Sequence, residues 1–154
     1  MELNSIYDDA TTRDALRRSG LKATPRRLAV AAFLSGTGGR AATPEEVHAR
    51  LRPQLSRLGL QTVYRVLEEL AGAGLLARVE RGDRRRSYAA CPVGGERHHH
   101  HIVCTDCGRV ASVDCGFPDT QRRRIERRTG FRVSGHSMQV AGVCPVCRSK
   151  GSRR

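Results

Sequence analysis

Residues 60–90 read LQTVYRVLEELAGAGLLARVERGDRRRSYAA, and this stretch decides the architecture of the first half of the chain. Over 60–71, Val63, Val66, Leu67 and Leu70 recur at helical spacing, while Gln61, Tyr64, Arg65 and Glu68 make the opposite i, i+3, i+4, i+7 stripe. The pattern predicts an amphipathic helix, stopped by Gly72 and Gly74, whose polar stripe faces outward. Beyond it, residues 75–79 and 87–90 flank a glycine-bearing, arginine-rich segment at 80–86, which reads as a two-stranded hairpin with a basic tip.

Working upstream, three earlier helices are expected. A polar segment around 12–19 is closed by Gly20; Thr24 caps a second helix that has Pro25 at its first position; and Thr43-Pro44-Glu45-Glu46 is a capping box, limited downstream by Pro53. Short helices followed by a basic hairpin describe a winged helix-turn-helix over residues 1–90.

The chemistry changes near residue 90, because every Cys and five of the six His lie after it. Residues 91–97 read as a hinge. After it, strands are expected at 98–103, 109–113 and 131–143, with a helix at 119–129 stopped by Gly130. The class is therefore α+β, with a second domain over 98–147 and a loose basic tail over 148–154.

Composition narrows the function. The chain has 154 residues and a formal net charge of +13, and Lys stands only at positions 22 and 150, so the basic excess is almost wholly arginine. Fork-shaped guanidinium donors suit a polyanion, and double-stranded nucleic acid is the first candidate. Aromatics at 4% with no Trp argue against a single-strand binder built on base stacking. No apolar run approaches the ~20 residues of a bilayer crossing, and the first residues carry acids where a signal peptide carries bases. The expectation is a soluble, cytoplasmic protein with no membrane partner. In a reducing compartment, six cysteines read as metal ligands or free thiols rather than disulfides.

Cys104-x-x-Cys107 and Cys144-x-x-Cys147 can each aim two thiolates at one ion, closing a structural tetrahedral zinc site with no open coordination position. Just before the first pair stands His98-His99-His100-His101, mid-chain rather than at a terminus where a purification tag would be. In a strand, successive side chains point to opposite faces, so His98 and His100 form one pair and His99 and His101 another. One strand can thus feed two metal sites. Imidazoles alone do not select among zinc, iron, nickel and copper.

The ordered set of motifs resembles the ferric uptake regulator family. It comprises Gly20-Leu-Lys-x-Thr-Pro-Arg-Arg27, Thr43-Pro-Glu-Glu-Val47, Leu60-Gln-Thr-Val-Tyr-Arg-Val-Leu67, the histidine run leading to Cys104-x-x-Cys107-Gly108, and His136 followed by Cys144-x-x-Cys147, covering about residues 12–147. The resemblance implies a homodimeric, metal-activated repressor of metal-homeostasis genes that binds operator DNA. It would have an N-terminal winged helix and a C-terminal α+β dimerisation domain, and metal ions rather than a small-molecule substrate as effectors.

By that resemblance, His98 and His100 join Asp119 and His136 in a second site, with Asp where Glu is more usual. His99 and His101 join Cys91 in the sensing site, and this sulfur ligand is typical of the zinc-uptake-regulator branch. A thiolate favours zinc, with iron(II) or manganese(II) as the alternatives. The aspartate that this branch supplies fourteen residues before the cysteine is here Ala77, which leaves the fourth ligand open, with Glu80 and Asp83 the nearby carboxylates. Where iron- and peroxide-sensing members carry an acid eight residues after the first knuckle cysteine, this chain has Ser112. Cys115 fits no set and reads as a buried free thiol. On the DNA side the resemblance points to Tyr64 and Arg65 on the fourth helix, while Lys22, Arg26, Arg27 and Arg84 read as backbone contacts.

Two rival classes compete with this reading. A zinc enzyme of the deaminase kind needs HxE followed by PCxxC, whereas here the proline, Pro145, lies inside the pair and no HxE or HExxH is present. A zinc-stabilised DNA-binding protein without sensing would keep the four-cysteine site but show no response of DNA affinity to metal.

Overall fold

A computed structural model of the chain describes residues 9–91 and 98–151. The N-terminal lobe begins with α1 (Asp9–Arg18), α2 (Pro25–Ser35), α3 (Pro44–Leu51) and α4 (Leu60–Gly72). The starts of α2 and α3 have a local cause. The Thr24 hydroxyl accepts from the Arg27 backbone N–H, and Thr43 and Glu46 exchange side-chain to backbone bonds as a complete capping box. The apolar faces then meet. Leu16, Val30, Leu34, Val47, Val63, Leu67, Leu70 and Leu75 are all fully buried in one core with Tyr88.

The hairpin follows as β1 (Leu76–Glu80) and β2 (Arg86–Ala90), antiparallel with Leu76 opposite Ala90. Arg84 in its turn takes a left-handed conformation, φ 59°. Four helices and this hairpin make the winged helix-turn-helix.

The second lobe is a three-stranded sheet in the order β4-β3-β5, with β3 (His99–Cys104) central. β4 (Val110–Asp114) pairs antiparallel with β3, and β5 (Gln139–Gly142) pairs parallel with it. α5 (Asp119–Thr129) ends on Gly130, whose φ of 74° is the left-handed cap glycine supplies cheaply, and α6 (Pro145–Gly151) closes the described chain. No helix among the described residues is long and apolar enough to cross a membrane.

Two expectations need correcting. The strand expected over 131–143 is confined to Gln139–Gly142, because residues 131–138 have no ladder partner among the described residues and His136 there turns toward other imidazoles. The tail expected to be loose from 148 is helical through Gly151, with Pro145 favourable at the first helical position. Of the expected hinge, Cys91 is described and continues the hairpin, its N–H bonded to Leu75 O at 3.0 Å. Positions 92–97 lie outside the described residues, as do 1–8 and 152–154.

Candidate metal centres and nucleic-acid face

Alternation along β3 sorts the four histidines as strand geometry demands. The His99 and His101 rings stand on one face with centroids 4.8 Å apart, and the His98 and His100 rings on the other, also 4.8 Å apart. Three groups of donors result, each with its ligand atoms within 4.8 Å of one another.

The first is Cys104, Cys107, Cys144 and Cys147. The turn after β3 carries one pair, and the junction of β5 with α6 brings the other across the parallel ladder. Zn–S bonds of ~2.3 Å at tetrahedral corners put sulfurs ~3.8 Å apart, and Cys107 Sγ and Cys144 Sγ stand 3.8 Å apart. The donor set and its spacing fit zinc. Burial pushes the Cys104 thiol up, but backbone N–H groups of Cys144, Cys107 and Asp106 directed at its sulfur prevail and bring it down to about 6. The contacts with Cys107 and Cys144, in turn, push the Cys147 thiol up to about 12, so the lowering is confined to part of the cluster.

The second group is Cys91, His99 and His101, with Cys91 Sγ 3.2 Å from His99 Nε2 and 4.0 Å from His101 Nε2. It joins the end of β2 to β3, and so links the two lobes. Desolvation, with the neighbouring His99 and His100, lowers the pKa of His101 and holds it as the neutral imidazole that a metal requires. Neither Glu80 nor Asp83 belongs to this group. Asp83 instead accepts from Arg81 Nη2 at 3.0 Å and from the Arg85 N–H at 3.1 Å, which holds its carboxyl below the usual range. Ser112 stands opposite His101 in the ladder, and its buried hydroxyl has no hydrogen-bond partner among the described residues.

The third group is His98, His100 and His136 with Cys115. His136 Nε2 lies 3.1 Å from His98 Nε2, 3.0 Å from His100 Nε2 and 3.2 Å from Cys115 Sγ. His100 is buried, and that desolvation, with His136 and His98 nearby, lowers its pKa. Asp119 is not brought in. Its side chain is 76% exposed and pairs with Arg122 at 3.2 Å. Cys115, set aside in the sequence as a free thiol, is the residue that joins these imidazoles. The signal available was strand parity, since Cys115 follows β4 on the same face as Val113, which stands opposite His100.

On the N-terminal lobe, α4 presents Tyr64 (41% exposed) and Arg65 outward, as the stripe predicts. Tyr64 donates to Glu45 Oε1 at 2.6 Å, and Arg85 reaches Glu45 Oε2 at 3.4 Å. Lys22, Arg26 and Arg84 are exposed. Arg27 differs: it donates to Glu69 Oε2 (2.9 Å) and to Lys22 O (2.6 Å), tying α2 to α4. The polar groove between α2 and α4, about 640 Å³, is open and lined in part by Arg26, Arg27 and Arg65.

A winged helix with a basic outer face, joined to a lobe that gathers thiolates and imidazoles, defines a metal-binding DNA regulator. Comparison with known proteins agrees: the sequence model of the ferric uptake regulator family matches residues 18–141. The chain belongs to that family, whose members are metal-responsive transcription regulators rather than enzymes. The ferric uptake regulation protein of Legionella pneumophila is 31% identical over 133 residues, covering 86% of this chain and 96% of that protein. The Vibrio cholerae ferric uptake regulator structure is 28% identical, covers 86% of this chain and 98% of that one, and superposes with a TM-score of 0.54. A zinc uptake regulator complexed with zinc and DNA has the same fold, at a TM-score of 0.77 and 23% identity over 93% of this chain and 94% of that one.

Proposed function

We propose that the chain is a zinc-responsive repressor of metal-homeostasis genes, acting in the cytoplasm as a homodimer on palindromic operator DNA. One observation carries the zinc reading: Cys91 at the end of β2 stands 3.2 Å from His99 Nε2 of β3, so the donor set that ties the two lobes together includes a sulfur. Thiolate with imidazole favours zinc over iron(II) or manganese(II). Cys104, Cys107, Cys144 and Cys147 would hold a structural zinc, whose binding contributes to folding.

Cys91, His99 and His101 would fasten the hairpin to the second lobe and so set the angle of the DNA-reading head. In this reading α4 enters the major groove. Arg65 reads guanine, Tyr64 a thymine methyl or a phosphate, and Lys22, Arg26 and Arg84 hold the backbone. Arg27, spent on Glu69 and Lys22 O, acts by fixing α4 rather than by touching phosphate. Two heads at fixed separation suit a two-fold operator. The second copy of the chain would cover Phe131 (75% exposed), Met138 and Val140, and α5, which buries none of its residues within one chain. The likeness to a zinc uptake regulator seen with zinc and DNA is in keeping with this reading.

Operator affinity measured against free zinc, iron(II) and manganese(II) tests the proposal. A gain of ~5- to 150-fold with zinc is expected from the coupling typical of such switches; an affinity that ignores zinc overturns it, and a gain confined to iron or manganese overturns the choice of metal. Cys91→Ala should remove the zinc response and keep the dimer, whereas Cys104→Ala should unfold the second lobe by circular dichroism.

A further inference from the structure

The third donor group contains a sulfur where a carboxylate was expected, and the register of the sheet explains how it gets there. His99 pairs with Asp114 and His100 with Val113, so continuing the antiparallel register by one pair sets Cys115 opposite His98. Residues opposite one another in such a ladder share a face. Cys115 is therefore delivered by β4 to the face that carries His98 and His100, and its Sγ lies 3.2 Å from His136 Nε2.

The rest of the geometry is that of a four-cornered cage. Tetrahedral zinc with Zn–N bonds of ~2.0–2.1 Å sets nitrogens ~3.3–3.4 Å apart, and the His136 Nε2 contacts to His98 and His100 are 3.1 and 3.0 Å. One ring is also held from outside: Phe117 stacks on His136 with centroids 4.4 Å apart.

Asp119 has a different occupation. It begins α5, where a helix N-terminus favours negative charge, and it pairs with Arg122 one turn on.

We propose that Cys115, and not Asp119, supplies the fourth ligand of the His98, His100 and His136 cage, making it a three-imidazole, one-thiolate zinc site. The inference rests on the reading above that these imidazoles are metal ligands. It has a consequence for selectivity. With Cys91 on one face of β3 and Cys115 on the other, neither histidine cage is an all-nitrogen and oxygen set, and so neither offers iron(II) or manganese(II) the harder donors they prefer.

Cobalt(II) tests this directly, because a thiolate ligand gives a sulfur-to-cobalt charge-transfer band that carboxylate and imidazole lack. The full chain is loaded with one equivalent of zinc to fill the four-cysteine site. Cys91→Ala removes the other isolated thiolate, and cobalt is then titrated as the probe while zinc content is followed by elemental analysis. In this background the first equivalent of cobalt should raise the charge-transfer band. Adding Cys115→Ser should abolish it and weaken cobalt binding by at least the ~10–100-fold that losing a metal-site partner costs. Adding Asp119→Asn should leave band and affinity as they are.

A band that survives Cys115→Ser, or an affinity that falls tenfold or more with Asp119→Asn, overturns the assignment. So does a protein that binds no cobalt beyond the zinc-filled site, and that result also removes the metal-cage reading. Operator affinity that ignores zinc would instead sink the regulatory reading while leaving the cobalt result standing.

Discussion

Tyr88 is where the parts of the N-terminal lobe meet. It is fully buried, its backbone exchanges hydrogen bonds with Ala42 at 2.8 and 2.9 Å, and its hydroxyl donates to Glu68 Oε1. Burial, with Glu68 beside it, pushes its phenol up to about 12. Glu68 takes a second donor, Arg78, and the bonds from Arg78 and Tyr88 hold its carboxyl below the usual range. A carboxylate whose folded pKa is depressed contributes stability that is fully present above its unfolded value of ~4.3 and is lost as pH falls through the folded one. Glu68→Gln should therefore lower the unfolding free energy measured in urea at neutral pH, by under about 1 kcal/mol because the group is partly solvated. The gap from the unsubstituted chain should hold down to about pH 5 and close below about pH 4. A gap that widens on acidification would contradict the assignment.

Among the elements, α3 has the most explicit start. Thr43 Oγ1 accepts from the Glu46 N–H at 3.3 Å, and Glu46 Oε2 accepts from the Thr43 N–H at 2.8 Å, while Glu46 Oε1 also receives Arg81 from the hairpin turn at 3.1 Å. Thr43→Ala should cost about 1 kcal/mol in urea unfolding, with α4 intact by circular dichroism. Element starts such as this were legible in the sequence because capping chemistry is local: Thr43 and Glu46 need no distant partner to declare themselves. The cysteine cage was legible for the same reason, each pair fitting one turn. β5 was overextended because strand propensity over 131–143 says nothing about where a ladder partner ends, and that is fixed by the six residues of β3. The nearness of Cys115 to the imidazoles was not legible because it depends on the β3–β4 register, a non-local quantity, whereas Asp119 was expected from a family pattern.

At the scale of the whole molecule, the lobes are joined by more than the hinge. Ala41, Ala77, Val79 and Ala89 from the first lobe form a small buried cluster with Val103 and Val110 from the second. Backbone bonds from Ala41 N to Gly108 O and from Val110 N to Gly39 O, both 2.9 Å, stitch its edge. Gly82 in the hairpin turn approaches Thr105 so closely that a Cβ would sit 3.1 Å from its carbonyl oxygen. Gln139 adds a two-pronged tie, its amide donating to Glu80 O at 2.6 Å and accepting from the Glu80 N–H at 2.8 Å. Gln139→Ala should speed hydrogen exchange at the Glu80 amide by ~5- to 10-fold, as expected for about 1 kcal/mol lost locally, and leave the α4 amides unchanged. Unchanged exchange at Glu80 would mean that the seam holds without this residue.

β3 is the middle strand of its sheet, pinned by ladders on both sides, and it aims its four rings alternately. Its frame therefore has no slack. Because the four are identical, deleting any one of them leaves three in the same alternation: with 102–104 held by the ladders, the places of His99, His100 and His101 stay filled and that of His98 is lost. Such a cut opens the cage on the His98 face and spares the one shared with Cys91.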